Sequence, residues 1–310
     1  MRYGMALGSA PKPLSAYVET IEHYEAMGLD SVWSAQLFGA DALTVFALAG
    51  ATTTRIQLGT AVIPTYSRHP LVLASQALTT QAATNNRLVL GVGSSHRALV
   101  EGVLGADYER PAAYLREYLS VLPRLLRGER FDSEGERLHV DTTSVFGRAG
   151  VVGAEAPPVY VGTMFPISLR IAGELADGVI TWLVGPTTLT EEVIPRLRDA
   201  AAAAGRPQLR VVAGIPITLC TKADTQYHTD LVNSRLDSFV SLPVYQKVLT
   251  REHATCPADL AAIGDEEAVV ARLQTFADTG IDEVYGVCFG DDETLLRTAE
   301  LLGSLARRGA

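Results

Sequence analysis

Short apolar runs that favour β-strands alternate along the chain with helix-length segments. The first repeat is clear. Arg2–Leu7 is predicted to form a strand, and Leu14–Met27 an amphipathic helix that ends at Gly28, a residue typical of helix C-caps. Eight such strand and helix units follow one another, which is the order expected of a parallel sheet built from βα units. The pattern predicts an α/β fold, a (β/α)8 TIM barrel that forms one domain over residues 1–310.

The predicted elements can be placed along the whole chain. The predicted strands are Arg2–Leu7, Asp30–Ser34, Arg55–Ile63, Leu88–Val92, Pro158–Val161, Gly178–Trp182, Leu209–Leu219 and Glu283–Val287. The predicted helices are Leu14–Met27, Asp41–Thr53, Pro70–Thr84, Arg110–Leu126, Ser168–Leu175, Thr190–Ala204, Thr225–Glu252, Glu266–Thr279 and Glu293–Arg307. Two segments exceed the repeat. Gly128–Pro157 is predicted as an aperiodic insertion after strand four, and Thr225–Glu252 as a helical insertion after strand seven, over one end of the barrel.

Composition narrows the classes of partner. Apolar residues make up 47% of the chain, enough for a large core, and the net charge of −9 argues against nucleic acid or an anionic membrane as a general partner. The three cysteines are far apart, so neither a disulfide framework nor a zinc site is indicated, and a cytoplasmic location is expected. No apolar stretch approaches the roughly 20 residues of a spanning helix, and no signal peptide is recognised. A small molecule is the expected ligand.

The loops after strands two to five carry the candidate site. In TIM barrels the chemistry lies at the C-terminal ends of the strands. The four loops are Ser34–Gly39, Gly59–Pro70, Gly91–Arg97 and Gly162–Pro166, and all contain glycine and small or hydroxyl-bearing residues. Such residues let backbone N–H groups approach a planar or anionic ligand closely. We therefore expect these loops to contact a cofactor.

Three motifs resemble those of the luciferase-like superfamily. They are Gly-Thr-Ala-Val at residues 59–62 followed by His-Pro at 69–70, Arg-Leu-Val-Leu-Gly-Val-Gly at 87–93, and Glu-Leu-Ala-Asp-Gly-Val-Ile at 174–180. Each motif alone is weak, but their order and spacing over nearly the whole chain make the resemblance fairly specific. The first half is most similar to the F420-dependent (deazaflavin) oxidoreductase group. The resemblance implies a TIM barrel that binds coenzyme F420, or alternatively FMN, in its mouth.

The resemblance also implies which residues contact the cofactor. Ala61 and Val62 match the bulge or non-proline cis peptide behind the cofactor ring, although the same residues could form an ordinary strand end. The loop of Ser94, Ser95 and His96 matches the one beside the ring and side chain. The loop at 162–165 matches the one that receives the phosphate near a helix N-terminus. The candidate cofactor contacts are Ser34, Thr60, Ala61, Val62, Ser94, Ser95, Gly162, Thr163, Met164 and Phe165.

Cofactors of this type carry the hydride themselves, so the protein must position the ring, exclude water and supply at most a proton. His96 is the first catalytic candidate, because it matches a position where some deazaflavin relatives carry Glu and because imidazole titrates near neutrality. A structural role for His96 is the alternative. Where several relatives carry an acidic residue followed by His, this chain has Gln36 and Leu37. Leu37 cannot transfer a proton, so Gln36 is a candidate for hydrogen bonding only, and solvent is another possible proton source.

Other side chains have open roles. His69 is expected at a helix start beside Pro70, and Arg68 could meet an anion or be solvated. Ser168 and Arg170 could assist a phosphate or lie on a helix surface. Trp33 is expected in the core and Trp182 beside the pocket. The insertion after strand seven could cover the mouth or form a dimer interface; its candidate residues are Tyr227, His228, Arg235, Phe239, Tyr245 and Lys247.

Three functions remain open from the sequence. The first is an F420-dependent oxidoreductase that transfers a hydride between F420 and a small organic substrate. The second is an FMN-dependent monooxygenase that uses O2 and needs a flavin reductase partner. The third is a non-catalytic flavin- or deazaflavin-binding protein, which the Gln36 and Leu37 departure makes plausible. By analogy with such relatives a homodimer is expected. A Rossmann site is disfavoured, because Gly91-Val92-Gly93 lacks the third glycine and the later acidic residue.

Overall fold

Eight parallel strands form a closed barrel in the computed structural model, which describes residues 1–8, 10–144, 147 and 149–309. The strands are β1 Arg2–Ala6, β2 Ser31–Ser34, β3 Gln57–Thr60, β4 Leu88–Gly93, β5 Val159–Gly162, β6 Gly178–Trp182, β7 Arg210–Leu219 and β8 Glu283–Val287. Each strand pairs in parallel with the next, and β8 pairs with β1, which closes the ring. The predicted (β/α)8 barrel is confirmed.

Helices surround the barrel. They are α1 Leu14–Met27, α2 Ala42–Gly50, α3 Pro70–Ala83, α4 Arg97–Gly102, α5 Pro111–Leu126, α6 Pro166–Leu175, α7 Ile194–Ala203, α8 Thr225–Val240, α9 Pro243–Arg251, α10 Glu266–Ala277 and α11 Asp292–Arg308. Their ends follow local sequence signals. Gly28 ends α1 in the left-handed conformation with φ 94°. The Asp41 side chain accepts a hydrogen bond from the Thr44 amide at the start of α2. No helix in the described ranges is long and apolar enough to cross a membrane.

Strand three is shorter than its predicted span. The strand begins only at Gln57, because the Glu25 carboxylate accepts hydrogen bonds from the amides of Arg55 and Ile56. It ends at Thr60, and the Ala61–Val62 peptide bond is cis. A short continuation, Ile63–Pro64, then pairs with β4. The prediction of one strand over residues 55–63 was therefore wrong.

Two predicted helices are interrupted at prolines. The segment predicted as Thr190–Ala204 contains a π-helical stretch, Leu189–Val193, before α7, because Pro195 has no N–H to continue an α-helical ladder. A short turn, Pro186–Thr188, precedes it. The predicted helix Thr225–Glu252 is two helices, α8 and α9. They separate before Pro243, since a residue that precedes proline disfavours the helical conformation.

Elements that the sequence pattern did not predict occur in the first insertion and in the loops beside both insertions. After β4 the chain forms α4, and the segment predicted as Gly128–Pro157 holds a hairpin of Asp132–Glu134 and His139–Asp141. The residues at 145, 146 and 148 of that predicted segment lie outside the described residues. After β7, a short strand, Ala262–Gly264, extends the sheet beside the end of β7. These elements are too short to show a periodic pattern.

A layer of aromatic side chains fills the barrel interior. The Trp33 ring lies 5.7 Å from the Tyr285 ring and 6.4 Å from the Tyr160 ring, measured between centroids. Glycines on neighbouring strands make room for these rings: a Cβ at Gly59 would lie 2.4 Å from the Trp33 ring, and one at Gly214 would lie 2.3 Å from the Tyr285 ring. The aromatic layer is thus a solid support for whatever lies above it, at the C-terminal end of the strands.

Below this layer, at the N-terminal end of the strands, lies a buried carboxyl group. Glu283 is 3% exposed and accepts hydrogen bonds from the Ser31 hydroxyl and from the Trp33 indole N–H, the latter at 2.6 Å. Arg2 places a guanidinium nitrogen 3.7 Å from its other oxygen. Burial raises the pKa of Glu283 above its ordinary value of 4.5, against the opposing effects of Arg2 and the two donors.

This shift predicts how stability depends on pH. Because the folded-state pKa is raised, the stability contributed by protonated Glu283 is fully present below pH 4.5 and is lost as the pH rises through the folded-state pKa. Glu283→Gln stays neutral throughout that range. We therefore expect the melting temperature of the variant, measured relative to the parent chain, to rise from acidic to neutral pH. A difference between the two proteins that is the same at every pH would contradict the assignment.

Candidate functional site

The floor of the barrel mouth is built around Val62. A Cβ at Gly162 would lie 2.7 Å from the Val62 Cγ1 atom, and a Cβ at Gly93 would lie 2.8 Å from the Val62 Cγ2 atom. The two glycines end β5 and β4, so their lack of side chains lets Val62 lie across both strand ends. Ala61, Val62 and Val287 are half-buried and pack against the aromatic layer. The result is an apolar floor that a planar ligand can contact.

Thr60 and Ser34 fix this floor from below. Thr60 is fully buried, and its hydroxyl donates to the Gly91 carbonyl and accepts from the Gly91 amide, both at 2.8 Å. The Ser34 carbonyl accepts from the Ala61 amide at 2.8 Å. The Thr60 hydroxyl is thus bonded to the Gly91 backbone below the floor, and a contact between Thr60 and a cofactor stays a prediction. Ser34 is half-buried at the end of β2, so its hydroxyl is still a candidate contact.

The loop after β2 places Gln36 next to the floor. Its backbone amide donates to the Val62 carbonyl at 3.4 Å. Its side-chain oxygen accepts from the Ala42 amide at 2.9 Å, and its side-chain nitrogen donates to the Leu37 carbonyl at 2.7 Å. Both ends of the Gln36 amide are thus engaged at the start of α2. The hydrogen bonds of Gln36 agree with a positioning role, which stays a prediction; the neighbouring titratable group, Asp41 at the start of α2, is paired with Arg68.

The loop after β4 is held in a defined conformation. Ser95 has a positive φ of 61°, and its carbonyl accepts a hydrogen bond of 2.7 Å from the Tyr108 hydroxyl. The Arg97 guanidinium lies over the Tyr108 ring, 5.4 Å from its centroid. His96 lies between these two anchored residues at the surface of the mouth. Desolvation of its ring lowers the His96 pKa below 6.5, so the neutral imidazole predominates at neutral pH.

The loop after β5 leads into the N-terminus of α6. The Thr163 amide donates to the Ile180 carbonyl at 3.1 Å, and the Thr163 hydroxyl accepts from the Phe165 amide, also at 3.1 Å. The amides of Ile167 and Ser168, in the first turn of α6, have no hydrogen-bond acceptor among the described residues. Free N–H groups at a helix start favour an anion. This loop therefore stays a candidate anion position beside the floor.

Comparison with known proteins places this site in a family. The family model described as luciferase-like monooxygenase matches residues 1–283. The chain belongs to the luciferase-like monooxygenase family. It is 35% identical, over 79% of its length and 75% of the relative, to the F420-dependent glucose-6-phosphate dehydrogenase of Nakamurella multipartita. It is 33% identical, over 92% of both chains, to the protein of the same name from Microbacterium testaceum.

A solved structure shows the same fold. The coenzyme F420-dependent tetrahydromethanopterin reductase of Methanopyrus kandleri superposes on this luciferase-like chain with a TM-score of 0.84, covers 99% of both chains and is 22% identical. At that identity the likeness concerns the fold alone. Together with the family match it confirms the resemblance drawn from the motifs at residues 59–62, 87–93 and 174–180.

The charged residues around the mouth of this luciferase-like barrel are mostly paired. Arg68, which could have met an anion, forms an ion pair with Asp41. His69 caps α3, as expected, because its ring accepts a hydrogen bond from the Leu71 amide at 3.3 Å. Arg170 lies on the surface of α6, with its guanidinium 3.9 Å from the Glu174 carboxylate. Arg68 keeps one buried guanidinium nitrogen, Nη1, without a hydrogen-bond partner among the described residues, so of these three side chains only Arg68 remains a candidate for holding a ligand.

The insertion after β7 packs as a lid on the barrel of this family member. We use lid for α8 and α9. Its apolar side chains form a cluster with the end of β6 and the loop after it, made of Leu183, Val232, Leu236, Tyr245, Val248, Leu249 and Leu260. The lid is tied down at its C-terminal end, where the Glu252 carboxylate accepts from the amides of Thr187 at 3.2 Å and Thr188 at 2.6 Å. This packing agrees with the expectation of a lid, and the alternative of a dimer interface stays a prediction.

The sequence pattern of this luciferase-like chain did not predict the roles of several residues at the site. Tyr108 anchors the loop of His96, and Glu252 anchors the lid, yet both act on residues distant in the chain. Phe239 was expected only as an insertion residue, but its ring lies 6.2 Å from the His96 ring and 6.4 Å from the Trp182 ring. A spacing pattern carries no signal for such contacts, because they arise only when the barrel closes and brings the loops together.

Proposed function

We propose that this luciferase-like chain is an F420-dependent oxidoreductase that transfers a hydride between F420 and a small organic substrate. The observation that carries the proposal is the floor, in which Val62 lies across Gly93 and Gly162 beside the free amides of α6. A flat apolar surface next to an anion position fits a cofactor with a planar ring and a phosphate. The two relatives described above, which match 79% and 92% of this chain, are named F420-dependent glucose-6-phosphate dehydrogenases, which favours F420 over FMN.

The residues proposed to hold the cofactor follow from the site. Ala61 and Val62 support the ring, and Ser34, Ser94 and Ser95 border it with hydroxyl groups. The backbone of the loop after β5, together with the first turn of α6, receives the phosphate; that loop consists of Gly162, Thr163, Met164 and Phe165. Bound F420 supplies hydride chemistry. The protein contributes binding, orientation and exclusion of water.

His96 is proposed to move the proton. At neutral pH its ring is mostly neutral because desolvation lowers its pKa, so a ring nitrogen can accept the hydroxyl proton of an alcohol as the alcohol is oxidised. In the opposite direction the protonated ring donates to the carbonyl oxygen. Tyr108 holds the neighbouring Ser95 carbonyl, so it keeps His96 in place as a positioning residue.

Replacement of His96 tests this assignment. We expect His96→Gln to lower kcat for alcohol oxidation by about 100- to 10,000-fold, the usual contribution of general acid–base catalysis, while F420 affinity stays unchanged. In the parent chain the rate should fall as the pH drops through a value below 6.5, because the neutral imidazole is the reactive form. That acidic limb should be absent from the variant.

A matched control is available on α1. His23 is exposed and remote from the mouth, so His23→Gln should leave both kcat and the pH profile unchanged. An unchanged kcat in His96→Gln would mean that solvent supplies the proton and would overturn the role of His96. The same assays in anaerobic buffer test the reaction class: F420-dependent turnover should continue at the same rate, whereas a strict requirement for O2 would support the monooxygenase.

A further inference from the structure

The lid adds an aromatic side to the mouth, which we call the aromatic wall and define as His96, Trp182 and Phe239. We propose that this wall, together with the part of the mouth that the cofactor ring leaves open, forms a substrate compartment for an uncharged compound with a flat, apolar body, and that Phe239 is a specificity-determining residue. The inference rests on the proposed function, since it concerns the substrate of the same site.

The position of Phe239 follows from the order of the strands. His96 follows β4 and Trp182 ends β6, and β5 lies between these strands in the barrel. The Phe239 ring lies edge-on to both, with interplanar angles of 83° and 67°. A single ring that contacts both must therefore lie above the end of β5, where the floor glycine Gly162 is located. Phe239 thus borders the mouth and not the outer surface of the lid.

The wall is held firmly from behind. The Tyr245 ring of α9 lies 5.6 Å from the Phe239 ring and is 4% exposed. Behind it, Val248 and Leu249 belong to the same buried cluster. The Glu252 carboxylate accepts hydrogen bonds from the amides of Thr187 and Thr188 and so fixes the end of the lid. The position of the aromatic wall is therefore set by packing and hydrogen bonds.

The chemistry of the compartment is apolar. The aromatic wall supplies flat ring surfaces, and the half-buried Val287 at the end of β8 adds an apolar side chain, while the cofactor ring is proposed to cover Ala61 and Val62. An apolar ring bound against the wall is favoured because apolar surface is removed from water. A sugar or other polyol would instead leave hydroxyl groups without partners at these surfaces, at a cost.

The aromatic wall also offers no cation to a phosphate ester. The side chains of Trp182 and Phe239 are uncharged, and the His96 ring is mostly neutral at neutral pH because desolvation lowers its pKa. Arg235 and Lys247 of the lid are exposed and have no acidic partner among the described residues, so a phosphate ester would have to reach them instead. We therefore expect glucose 6-phosphate, the substrate in the names of two relatives, not to bind against the wall, and Arg235→Ala tests the alternative.

The first experiment needs no cofactor. The chain has two tryptophans, and Trp33 is 1% exposed, so acrylamide quenching of the intrinsic fluorescence reports mainly on Trp182. We expect acetophenone to protect Trp182 from acrylamide and glucose 6-phosphate to give no protection. Phe239→Ala should weaken acetophenone binding by about 10-fold, as the loss of an aromatic contact implies. Phe239→Leu should lose less, because it retains apolar bulk.

The second experiment measures turnover with F420. The parent chain should oxidise 1-phenylethanol with oxidised F420 and reduce acetophenone with reduced F420. Phe239→Ala should lower kcat/KM for both reactions by about 10-fold and leave the affinity for F420 unchanged. Tyr227→Ala is the matched control, because Tyr227 is an aromatic residue of the same helix that is 65% exposed. It should match the parent chain in both experiments.

The outcomes separate this inference from the proposed function. The inference would be overturned if glucose 6-phosphate protected Trp182 from acrylamide or were itself turned over, and if Arg235→Ala abolished that effect. The F420 dependence of the chain would remain intact. Equal effects of Phe239→Ala and Tyr227→Ala would also overturn it. If F420 does not bind, the proposed function fails, and the acetophenone protection measured without cofactor still decides whether the compartment is apolar.

Discussion

Gly162→Ala is expected to lower the affinity for F420 by about 10- to 100-fold while the barrel still folds. The new Cβ would lie 2.7 Å from the Val62 Cγ1 atom, so Val62 must move out of the plane of the floor. Overpacking of this kind costs typically about 1 to 3 kcal/mol, and here the displaced group is the proposed support of the cofactor ring. Calorimetric titration with F420, together with a thermal melt, measures both effects.

Gly102→Ala is the control for that substitution. Gly102 lies at the end of α4, a Cβ there meets nothing within 4 Å, and its φ is not in the left-handed region. Its affinity for F420 should equal that of the parent chain. If Gly162→Ala binds F420 normally while remaining folded, Val62 does not form the floor on which the cofactor rests.

Trp33→Ala is expected to have the largest effect on stability. Its side chain is 1% exposed, contacts the Tyr160 and Tyr285 rings, and donates to the Glu283 carboxylate. Removal of so large a buried side chain costs about 3 to 5 kcal/mol of the free energy of unfolding, and it also leaves Glu283 with one donor fewer. Urea unfolding followed by circular dichroism measures the loss.

Trp182→Ala provides the comparison for Trp33. Trp182 is only half-buried at the end of β6, so its removal should cost clearly less stability than the loss of Trp33. A loss below about 1 kcal/mol for Trp33→Ala would mean that the aromatic layer is not the support of the barrel interior.

Much of the fold was predictable because its signals are local. Each barrel strand is a short apolar run, and helix ends are marked by residues such as Gly28, Asp41 and His69 with Pro70. The sequence also contained the reason for one error: Pro195 cannot donate the hydrogen bond that a continuous helix needs. The predicted strand three began too early, because the sequence at Arg55 and Ile56 is typical of a strand. In the structure the amides of these two residues donate hydrogen bonds to the carboxylate of Glu25, which is distant in the chain.

The candidate site was predictable in its loops but not in its contacts. The resemblance pointed to Ala61 and Val62, and the structure has the cis form of the two alternatives named there. The resemblance could not show that the Thr60 hydroxyl is hydrogen-bonded to the Gly91 carbonyl and amide. Nor could it show that the oxygen and the nitrogen of the Gln36 side chain are both hydrogen-bonded to backbone groups. These pairings depend on three-dimensional closure. The roles of the site residues, the single domain, the homodimer and a reductase partner stay predictions.

The central claim is that the barrel mouth is built for F420. The most direct test is a titration of the purified chain with oxidised F420 and, separately, with FMN, followed by calorimetry and fluorescence quenching at fixed salt. We expect saturable one-to-one binding of F420 that is much tighter than binding of FMN and that weakens in Gly162→Ala. Equal or tighter binding of FMN, or binding of neither compound, would contradict it.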